Sequence, residues 1–313
     1  MGGARCLWYG SSVIFAAVVA GFALLGPSVD FENYRMLFEW VTETDLAELA
    51  LGSDPGYLVL SRIAYVSGLG FHGLMFAVAL MTCAAKTTVL WRLQTDRTVL
   101  VAMYASYLFW LHEYTQIRIA LALGLIMLGI YVARRSQWVL FIAAVTLHAS
   151  AIAVILLYVA VRFPGRATLG ALIGLPALYV TGVLDDFILD IATRVAYYTH
   201  LWDLGEFDRL NIFSLMPIAQ GLMILLALRH RERLTYFGRM ELVFAAVGLL
   251  SFYTLSFLPV LAFRTYELFI PFFLVLVSRV WPHSLGVRLL VPVYVLLGLR
   301  LSFDGNDPLL RLF

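Results

Sequence analysis

The amino-acid sequence predicts an all-α integral membrane protein that crosses the bilayer many times. Of its 313 residues, 62% are hydrophobic and only 13% are charged, whereas about a quarter of the residues in a soluble domain are charged. The mean hydropathy is +0.89. Open strands cannot satisfy their backbone polar groups in hydrocarbon, so each long apolar run is expected to be a helix. These observations exclude an ordinary soluble enzyme, a disordered chain and a disulfide-rich scaffold.

The apolar runs set the expected number of spans at nine or ten, because a spanning helix needs about 20 mainly apolar residues. The first run follows Arg5 and has the length of a retained helix rather than a cleaved signal peptide. We expect a single membrane domain over residues 1–313. The runs are Leu7–Gly26, Phe71–Leu93, Thr98–His112, Gln116–Ala133, Trp138–Val161, Thr168–Leu184, Asn211–Leu228, Met240–Pro259, Tyr266–Trp281 and Val287–Leu301.

Charge along the chain orients these helices. Thirteen of the 20 acidic residues lie in two loops, 28–70 and 185–210. Under the positive-inside rule, these loops are external and the arginine-rich connections are cytoplasmic. Two stretches of the first loop, 36–51 and 56–68, are expected to lie as helices on the outer membrane surface. The basic connections are Lys86–Arg97, Arg134–Arg135, Arg162–Arg166, Arg229–Arg239 and Arg279–Arg288.

The run Trp138–Val161 has arginines on both flanks, so a single crossing would reverse every later assignment. The simplest alternative is that the run enters from the cytoplasm, breaks near Thr146–Ser150 and returns as two short helices. Interrupted helices are tolerated where they are buried in protein or line a polar cavity. The run is also long enough to cross once, so both topologies stay open.

Ionisable residues within membrane helices are energetically costly, so each is a candidate functional residue. The densest group, at the outer junction of two runs, contains His112, Glu113, Gln116 and Arg118. Arg118 is expected to face a wet cavity or to pair with Glu113. The alternative is a purely structural ion pair at a helix boundary.

Two further polar groups lie in apolar surroundings. His148 and Ser150 lie at the predicted break, where a neutral imidazole can orient a hydroxyl or accept its proton; a hydrogen-bonded core histidine is the alternative. Arg264 and Tyr266 open a later helix from the outside, as substrate contacts or as interfacial anchors. Guanidinium groups such as those of Arg118 and Arg264 suit bidentate binding of a lipid diphosphate.

Other classes of chemistry have no signal in the sequence. It contains no Gly-rich phosphate loop, no Ser-His-Asp pattern and no metal-ligand spacing. Its scattered arginines form no nucleic-acid patch, and Cys6 and Cys83 are expected to be bystanders. We therefore expect no cofactor, no metal and no nucleic-acid partner, and an already activated, lipid-borne substrate.

Five short motifs occur in an order that resembles the EpsG family of bacterial exopolysaccharide membrane proteins, which is similar to the Wzy O-antigen and capsule polymerases. They are Asp30-Phe-Glu-Asn-Tyr34, Asp54-Pro-Gly-Tyr57, Gln116-Ile-Arg118-Ile-Ala120, Leu147-His148-Ala-Ser150-Ala and Arg264-Thr-Tyr266. The resemblance covers residues 10–285, and its most specific parts are the Gln-Ile-Arg and His-x-Ser segments. The sequence departs from the family at Ile119, where a second polar residue often stands.

The resemblance implies a polymerase at the outer face of the bacterial cytoplasmic membrane. Such an enzyme transfers a growing glycan from one undecaprenyl-diphosphate-linked repeat to the non-reducing end of another. Implied partners are that lipid-linked oligosaccharide, membrane lipids, a chain-length regulator and a flippase. The alternatives are a membrane glycosyltransferase that adds single sugars and a flippase of the lipid-linked repeat. Charges gathered at the outer rim, without repeat symmetry, favour a reaction site over transport.

The resemblance and the residues together suggest roles in the site. Asp30, Glu113 and His148 are the candidates for the catalytic base; Asp30 is included by analogy with the GT-C-like fold of lipid-dependent membrane glycosyltransferases, which also carry an acid after the first helix. Arg194 and Gly205 fit an Arg, ten residues, Gly pattern of the family's external loops, which chance also produces at Arg62 and Gly73. The candidate contacts to diphosphate or glycan are Arg118, Arg264, Tyr266, Tyr34, Gln116, Arg194 and Ser150.

Overall fold

The computed structural model describes residues 30–45, 54–168 and 211–303, with isolated positions at 10, 13–14, 17–18, 170–171, 181, 193 and 196. The predicted spans Leu7–Gly26 and Thr168–Leu184 and the acidic loop 185–210 lie mainly outside these residues. Every regular element of the described ranges is helical, which confirms the all-α prediction.

The α-helices of the described ranges are numbered in chain order. They are α1 (Phe31–Glu43), α2 (Pro55–Val66), α3 (Gly70–Arg92), α4 (Arg97–Met103), α5 (Ile117–Tyr131), α6 (Gln137–Leu147), α7 (Ala151–Arg162), α8 (Leu215–Arg229), α9 (Tyr236–Thr254), α10 (Pro259–Val280) and α11 (Leu285–Phe303). Two π-helical segments, Tyr104–Leu108 and Trp110–Thr115, extend α4.

Four of these helices are long and apolar enough to cross a membrane: α3, α9, α10 with the turn that follows it, and α11. The protein is therefore a helical membrane protein, as predicted. Helices α5 to α8 are also apolar but have 11 to 15 residues, which at about 1.5 Å per residue covers less than the ~30 Å of a hydrocarbon core. The count of nine or ten spans stays a prediction.

The chain forms two compact units, residues 1–153 with 291–313 and residues 154–290; the prediction of one membrane domain is untested. In the first unit, α5 packs between α3 and α6, and α2 lies against α1, α3 and α6. In the second unit, α9 packs along α10, and α8 contacts both. A bidentate ion pair joins α9 to α10, because Arg279 Nε and Nη2 donate to the Glu241 carboxylate at 2.7 and 3.0 Å.

The helix break predicted near Thr146–Ser150 is confirmed. Helix α6 ends at Leu147, His148 has an extended backbone (φ −159°, ψ 114°), and α7 begins at Ala151. A side chain from elsewhere in the first unit satisfies the interrupted backbone, since the Ala149 N–H donates to Asp54 Oδ1 at 2.9 Å. Protein partners of this kind are what allow a helix to break in an apolar environment. The return of α7 to the side from which α6 starts stays a prediction.

The two helices predicted for the first loop are present with shifted bounds. Helix α1 begins and ends earlier than the predicted 36–51, and α2 begins at Pro55, so the Pro and Gly of the predicted turn are its first residues. Arg62 joins them, because its Nη1 donates to the carbonyls of Val41 and Thr42 at 3.2 and 3.1 Å. These carbonyls belong to the last turn of α1, where no intrahelical donor reaches them.

The run Thr98–His112 differs from the single regular helix that its apolar pattern predicts. It starts as α4 and continues as two π-helical segments to Thr115. Side chains bind carbonyls of the first segment: Ser302 Oγ donates to Ser106 O at 2.9 Å, and Trp110 Nε1 donates to Ala105 O at 2.9 Å. Hydrophobic periodicity does not register such bonds, so the sequence pattern could not reveal the wider turns.

Gly56 allows the start of α2 to approach the end of α6. A Cβ at this position would lie 2.6 Å from Thr146 Oγ1 and 2.9 Å from the Thr146 carbonyl carbon. We expect Gly56→Ala to lower stability by about 1–3 kcal/mol, because overpacked sites of this kind must shift backbone. Thermal unfolding of the purified protein measures the effect. Gly165→Ala is the control, since a Cβ there meets no atom within 4 Å; equal melting temperatures for the two variants would contradict the close approach.

Candidate functional site

Three distant segments of the first unit converge on the carboxylate of Asp54. Arg118 Nη1 donates to Asp54 Oδ2 at 2.8 Å, His148 Nδ1 lies 3.2 Å from the same oxygen, and the Ala149 N–H donates to Oδ1. The Asp54 side chain is 8% exposed. The carboxylate thus joins the turn before α2, the first turn of α5 and the break after α6. We call Asp54, Arg118 and His148 the Asp54 cluster.

The backbone of Asp54 directs its side chain into this cluster. Its backbone is left-handed, with φ 57° and ψ 54°. Among the described residues, Asp54 is the only residue other than glycine with a positive φ. Aspartate tolerates this conformation better than most residues. Although Asp54 stands at the N-cap of α2, its carboxylate makes no cap hydrogen bond there. The carboxylate instead accepts hydrogen bonds from Arg118 and from the α6–α7 break.

Arg118 lies against two buried tyrosine rings. Its Cζ is 5.4 Å from the ring centroid of Tyr34 and 5.7 Å from that of Tyr57. A cation at a helix N-terminus is electrostatically unfavourable, so the Asp54 carboxylate and the two aromatic faces offset this placement. Arg118 Nε is buried and has no hydrogen-bond partner in the described part of the chain. One donor of the guanidinium is therefore left for a ligand.

Protonation follows from burial and from these contacts. Burial alone would raise the pKa of Asp54, but the hydrogen bonds from His148 and the Ala149 N–H, together with Arg118, outweigh it and lower that pKa. Asp54 is thus ionised at neutral pH. Burial raises the pKa of Tyr34 to about 12 despite the nearby Arg118, so Tyr34 stays a neutral phenol that can donate a hydrogen bond.

The ionised carboxylate determines the tautomer of His148. A carboxylate only accepts hydrogen bonds, so the nitrogen that faces Asp54, Nδ1, carries the proton. The other nitrogen, Nε2, then has a free lone pair and can act as a base. Ser150, two residues later, has a buried hydroxyl without a hydrogen-bond partner among the described residues. The cluster thus combines an oriented base, a guanidinium and a free hydroxyl.

The suggested pairing of Arg118 with Glu113 is wrong. Glu113 Oε1 instead accepts hydrogen bonds from Lys86 Nζ and from the Tyr104 hydroxyl, and Lys86 Nζ donates to that hydroxyl at 2.8 Å. The reason is the helix break at Gln116, which separates the π-helical turn of Glu113 from α5. We call Lys86, Tyr104 and Glu113 the Lys86 triad; it is distinct from the Asp54 cluster.

The other predicted residues of the first unit lie around the Asp54 cluster. Asp30 precedes α1, where its carbonyl accepts the Tyr34 N–H at 3.1 Å, and its charge contributes to raising the pKa of Tyr34. Gln116 lies between the second π-helical segment and α5, and its N–H donates to Leu111 O at 2.8 Å. Asp30 therefore lies next to Tyr34, whose ring contacts Arg118. Gln116 lies two residues before Arg118 in the chain.

The remaining predicted residues lie in the second unit or outside the described residues. Arg264 and Tyr266 belong to the second unit, where Arg264 is exposed and Tyr266 packs on Phe252 with ring centroids 5.2 Å apart. They do not open their helix as predicted, since α10 begins at Pro259. Arg194 lies outside the described residues. The substrate roles of these three residues stay predictions.

Sequence reasoning missed three members of the two polar groups. Asp54 belongs to an acidic-Pro-Gly turn in the sequence, but an acidic residue there is equally typical of an ordinary turn. Lys86 is the only lysine of the chain and lies within an apolar run, which is the signal that could have identified it. Tyr104 gives no signal, because a tyrosine in an apolar helix is common.

Comparison with known protein families identifies a match over most of the chain. The model of the EpsG family matches residues 6–299, a range that includes all five motifs and both polar groups. No curated protein and no solved structure matches the sequence. Among the described residues, no group of three or more His, Cys, Asp or Glu side chains could hold a metal ion.

Asp54→Asn tests the charge of the cluster, because asparagine also accepts the left-handed backbone. We expect a loss of about 1.5–3 kcal/mol at neutral pH, the range for hydrogen bonds to charged groups. Since the folded-state pKa of Asp54 is lowered, its contribution is present above the usual aspartate pKa of about 3.9 and disappears as the pH falls through the lowered value. The difference in stability between wild type and variant should therefore close on acidification.

Thermal unfolding of both proteins from neutral pH into the acid range measures this difference. The exposed Asp45 provides the control, and Asp45→Asn should match the wild type throughout. A stability difference that persists unchanged at low pH would show that the Asp54 charge contributes nothing.

Proposed function

The chain belongs to the EpsG family, a family of Wzy-like polymerases, and on this premise we propose that it joins lipid-linked oligosaccharide repeats into a polysaccharide. The growing glycan moves from one undecaprenyl-diphosphate-linked repeat to the non-reducing end of another, at the outer face of the bacterial cytoplasmic membrane. The observation that carries the proposal is the Asp54 carboxylate between Arg118 and His148. These two residues come from the two most specific motifs of the sequence.

In the proposed step, a hydroxyl oxygen of the acceptor sugar bonds to the anomeric carbon of the donor glycan. The bond between that carbon and the diphosphate oxygen breaks, and the lipid diphosphate leaves with the electron pair. The hydroxyl proton passes to His148 Nε2 and then to water. Asp54 holds the imidazole in the required tautomer and stabilises the imidazolium that forms, as the aspartate of a catalytic triad does.

The leaving diphosphate gains negative charge, which a fixed cation can stabilise. Arg118 suits this role, since Asp54 and the two tyrosine rings hold its guanidinium in place and its Nε has no partner among the described residues. The neutral phenol of Tyr34 is a second donor beside it. A guanidinium that is already oriented needs little rearrangement when charge develops.

The geometry of α5 and α6 supports the outer face. The two helices pack together and run in opposite directions, with the Asp54 cluster at one end and Arg134–Arg135 in the connection at the other. With these arginines at the cytoplasmic surface, the 15 residues of α5 raise Arg118 by about 20 Å. This depth corresponds to the outer part of the ~30 Å hydrocarbon core, which a lipid diphosphate can enter sideways.

The purified protein in lipid vesicles, given the native lipid-diphosphate repeat, should produce a ladder of longer glycans without nucleotide sugar and with a metal chelator present. Arg118→Lys keeps the charge but loses the planar guanidinium group that binds a phosphate through two hydrogen bonds. We expect about 100-fold slower chain growth. Arg135→Lys changes an exposed arginine at the far end of α5 and should leave the rate unchanged. The absence of chain growth in the wild type contradicts the proposal; a fully active Arg118→Lys variant removes Arg118 from the diphosphate site.

His148→Asn tests the roles of the two imidazole nitrogens separately. The asparagine amide can replace Nδ1 as donor to Asp54, but nothing replaces Nε2. We expect chain growth to fall by about 10²–10⁴-fold, the contribution of general base catalysis, with a melting temperature close to that of the wild type. His72→Asn is the control on an exposed histidine. Undiminished chain growth by His148→Asn would exclude His148 and leave Asp30 and Glu113 as candidate bases.

A further inference from the structure

We infer that Lys86 is a positioning residue: through the Lys86 triad it holds the second π-helical segment in the register that brings Arg118 to Asp54. The inference deepens the proposed function, on which its catalytic consequence rests. The contacts of the triad carry it. Lys86 and Glu113 side chains are only 12% and 1% exposed, and both ions and the Tyr104 hydroxyl are hydrogen-bonded to one another.

The triad holds both π-helical segments. Tyr104 is the first residue of the first segment, and Glu113 lies in the second. Lys86, on α3, contacts both side chains. Its ammonium group therefore links the first π-helical segment to the second. A π turn contains about one residue more than an α turn, and nothing in the apolar pattern of this stretch selects one turn over the other.

The second π-helical segment leads directly to Arg118. The segment ends at Thr115, and the N–H of the next residue, Gln116, donates to Leu111 O at 2.8 Å, five residues back. Helix α5 begins at Ile117, so only four residues lie between Glu113 and Arg118. If one π turn became an α turn, the residues after it would rotate by about 100°, and Arg118 would no longer face Asp54.

Lys86 also lies where α3 approaches the helix that carries Arg118. A Cβ at Gly124 of α5 would lie 3.7 Å from Lys86 Cγ and 3.4 Å from Ala85 Cβ. Helices α3 and α5 therefore approach closely at this point. Lys86 thus holds the π-helical segments against α3, the helix on which α5 packs.

A buried ion pair is a poor source of stability, because desolvation cancels much of the attraction. Well-packed apolar residues can often replace such a pair without loss of stability. The best-attested use of a buried polar pair is to specify register. The position of the triad, between a π-helical stretch and the first turn of α5, matches that use.

The test is a thermodynamic cycle of four proteins: wild type, Asp54→Asn, the double variant Lys86→Met with Glu113→Leu, and the triple variant. In the wild type, Asp54→Asn should lower the apparent melting temperature by about 3–10 °C. In the double variant Arg118 has already left Asp54, so the same change should lower it by less than a third as much. Additive shifts would show that the triad and the cluster are independent and would overturn the inference.

The matched control replaces the basic residue of an exposed ion pair by Met and the acidic residue by Leu, as in the double variant. Arg35 Nε donates to Glu39 on α1 at 3.0 Å, and in Arg35→Met with Glu39→Leu the effect of Asp54→Asn should be that of the wild type. If the Lys86 and Glu113 double variant does not accumulate, Tyr104→Phe takes its place in the cycle, because it removes only one hydroxyl. Additivity with Tyr104→Phe would equally overturn the inference.

Chain growth gives the second readout. The folded double variant should lengthen glycans at least 10-fold more slowly than the wild type. If the triad only stabilised the fold, the folded double variant would instead be as active as the wild type. Wild-type protein that makes no ladder contradicts the proposed polymerase. The melting-temperature cycle still decides the role of Lys86 in that case, so the two failures are distinguishable.

Discussion

The Asp54 carboxylate is the contact that holds together the start of α2, the start of α5 and the end of α6. Its two side-chain partners, Arg118 and His148, lie 64 and 94 residues further along the chain, and the carboxylate also satisfies the Ala149 N–H of the helix break. In apolar surroundings an unpaired carboxylate and an unpaired guanidinium are both costly. Each ion therefore lowers the cost of burying the other. The contact that stabilises the broken helix also orients Arg118 and His148.

Three buried acidic residues of the described ranges, Asp54, Glu113 and Glu241, each form an ion pair with a basic residue. Arg118 pairs with Asp54, Lys86 with Glu113, and Arg279 with Glu241. Pairing removes most of the penalty for burying each charge but also consumes most of its hydrogen-bonding capacity. What is left for a substrate is small and specific: the second nitrogen of His148, the Nε of Arg118 and the Ser150 hydroxyl.

The class of the protein and two of the three residues of the Asp54 cluster could be predicted from the sequence. Composition and apolar runs predict a helical bundle, and the cost of polar groups in lipid marks Arg118 and His148. The arginines on both flanks of one run made a break at Thr146–Ser150 one of the two topologies that the sequence left open. Asp54 could not be selected, because its role depends on a left-handed backbone and on contacts with remote segments. The Lys86 triad was missed because π-helical turns arise from individual hydrogen bonds, which leave no periodic pattern.

The left-handed backbone at position 54 limits which amino acids the chain can carry there. Glycine and asparagine accept the conformation but bring no negative charge, whereas glutamate brings the charge on a longer side chain and with less tolerance of the backbone. Aspartate alone combines the conformation, the charge and a short reach to Arg118, His148 and Ala149. A single codon change at this position therefore alters the path of the main chain or the electrostatics of the cluster, and no common substitution preserves both.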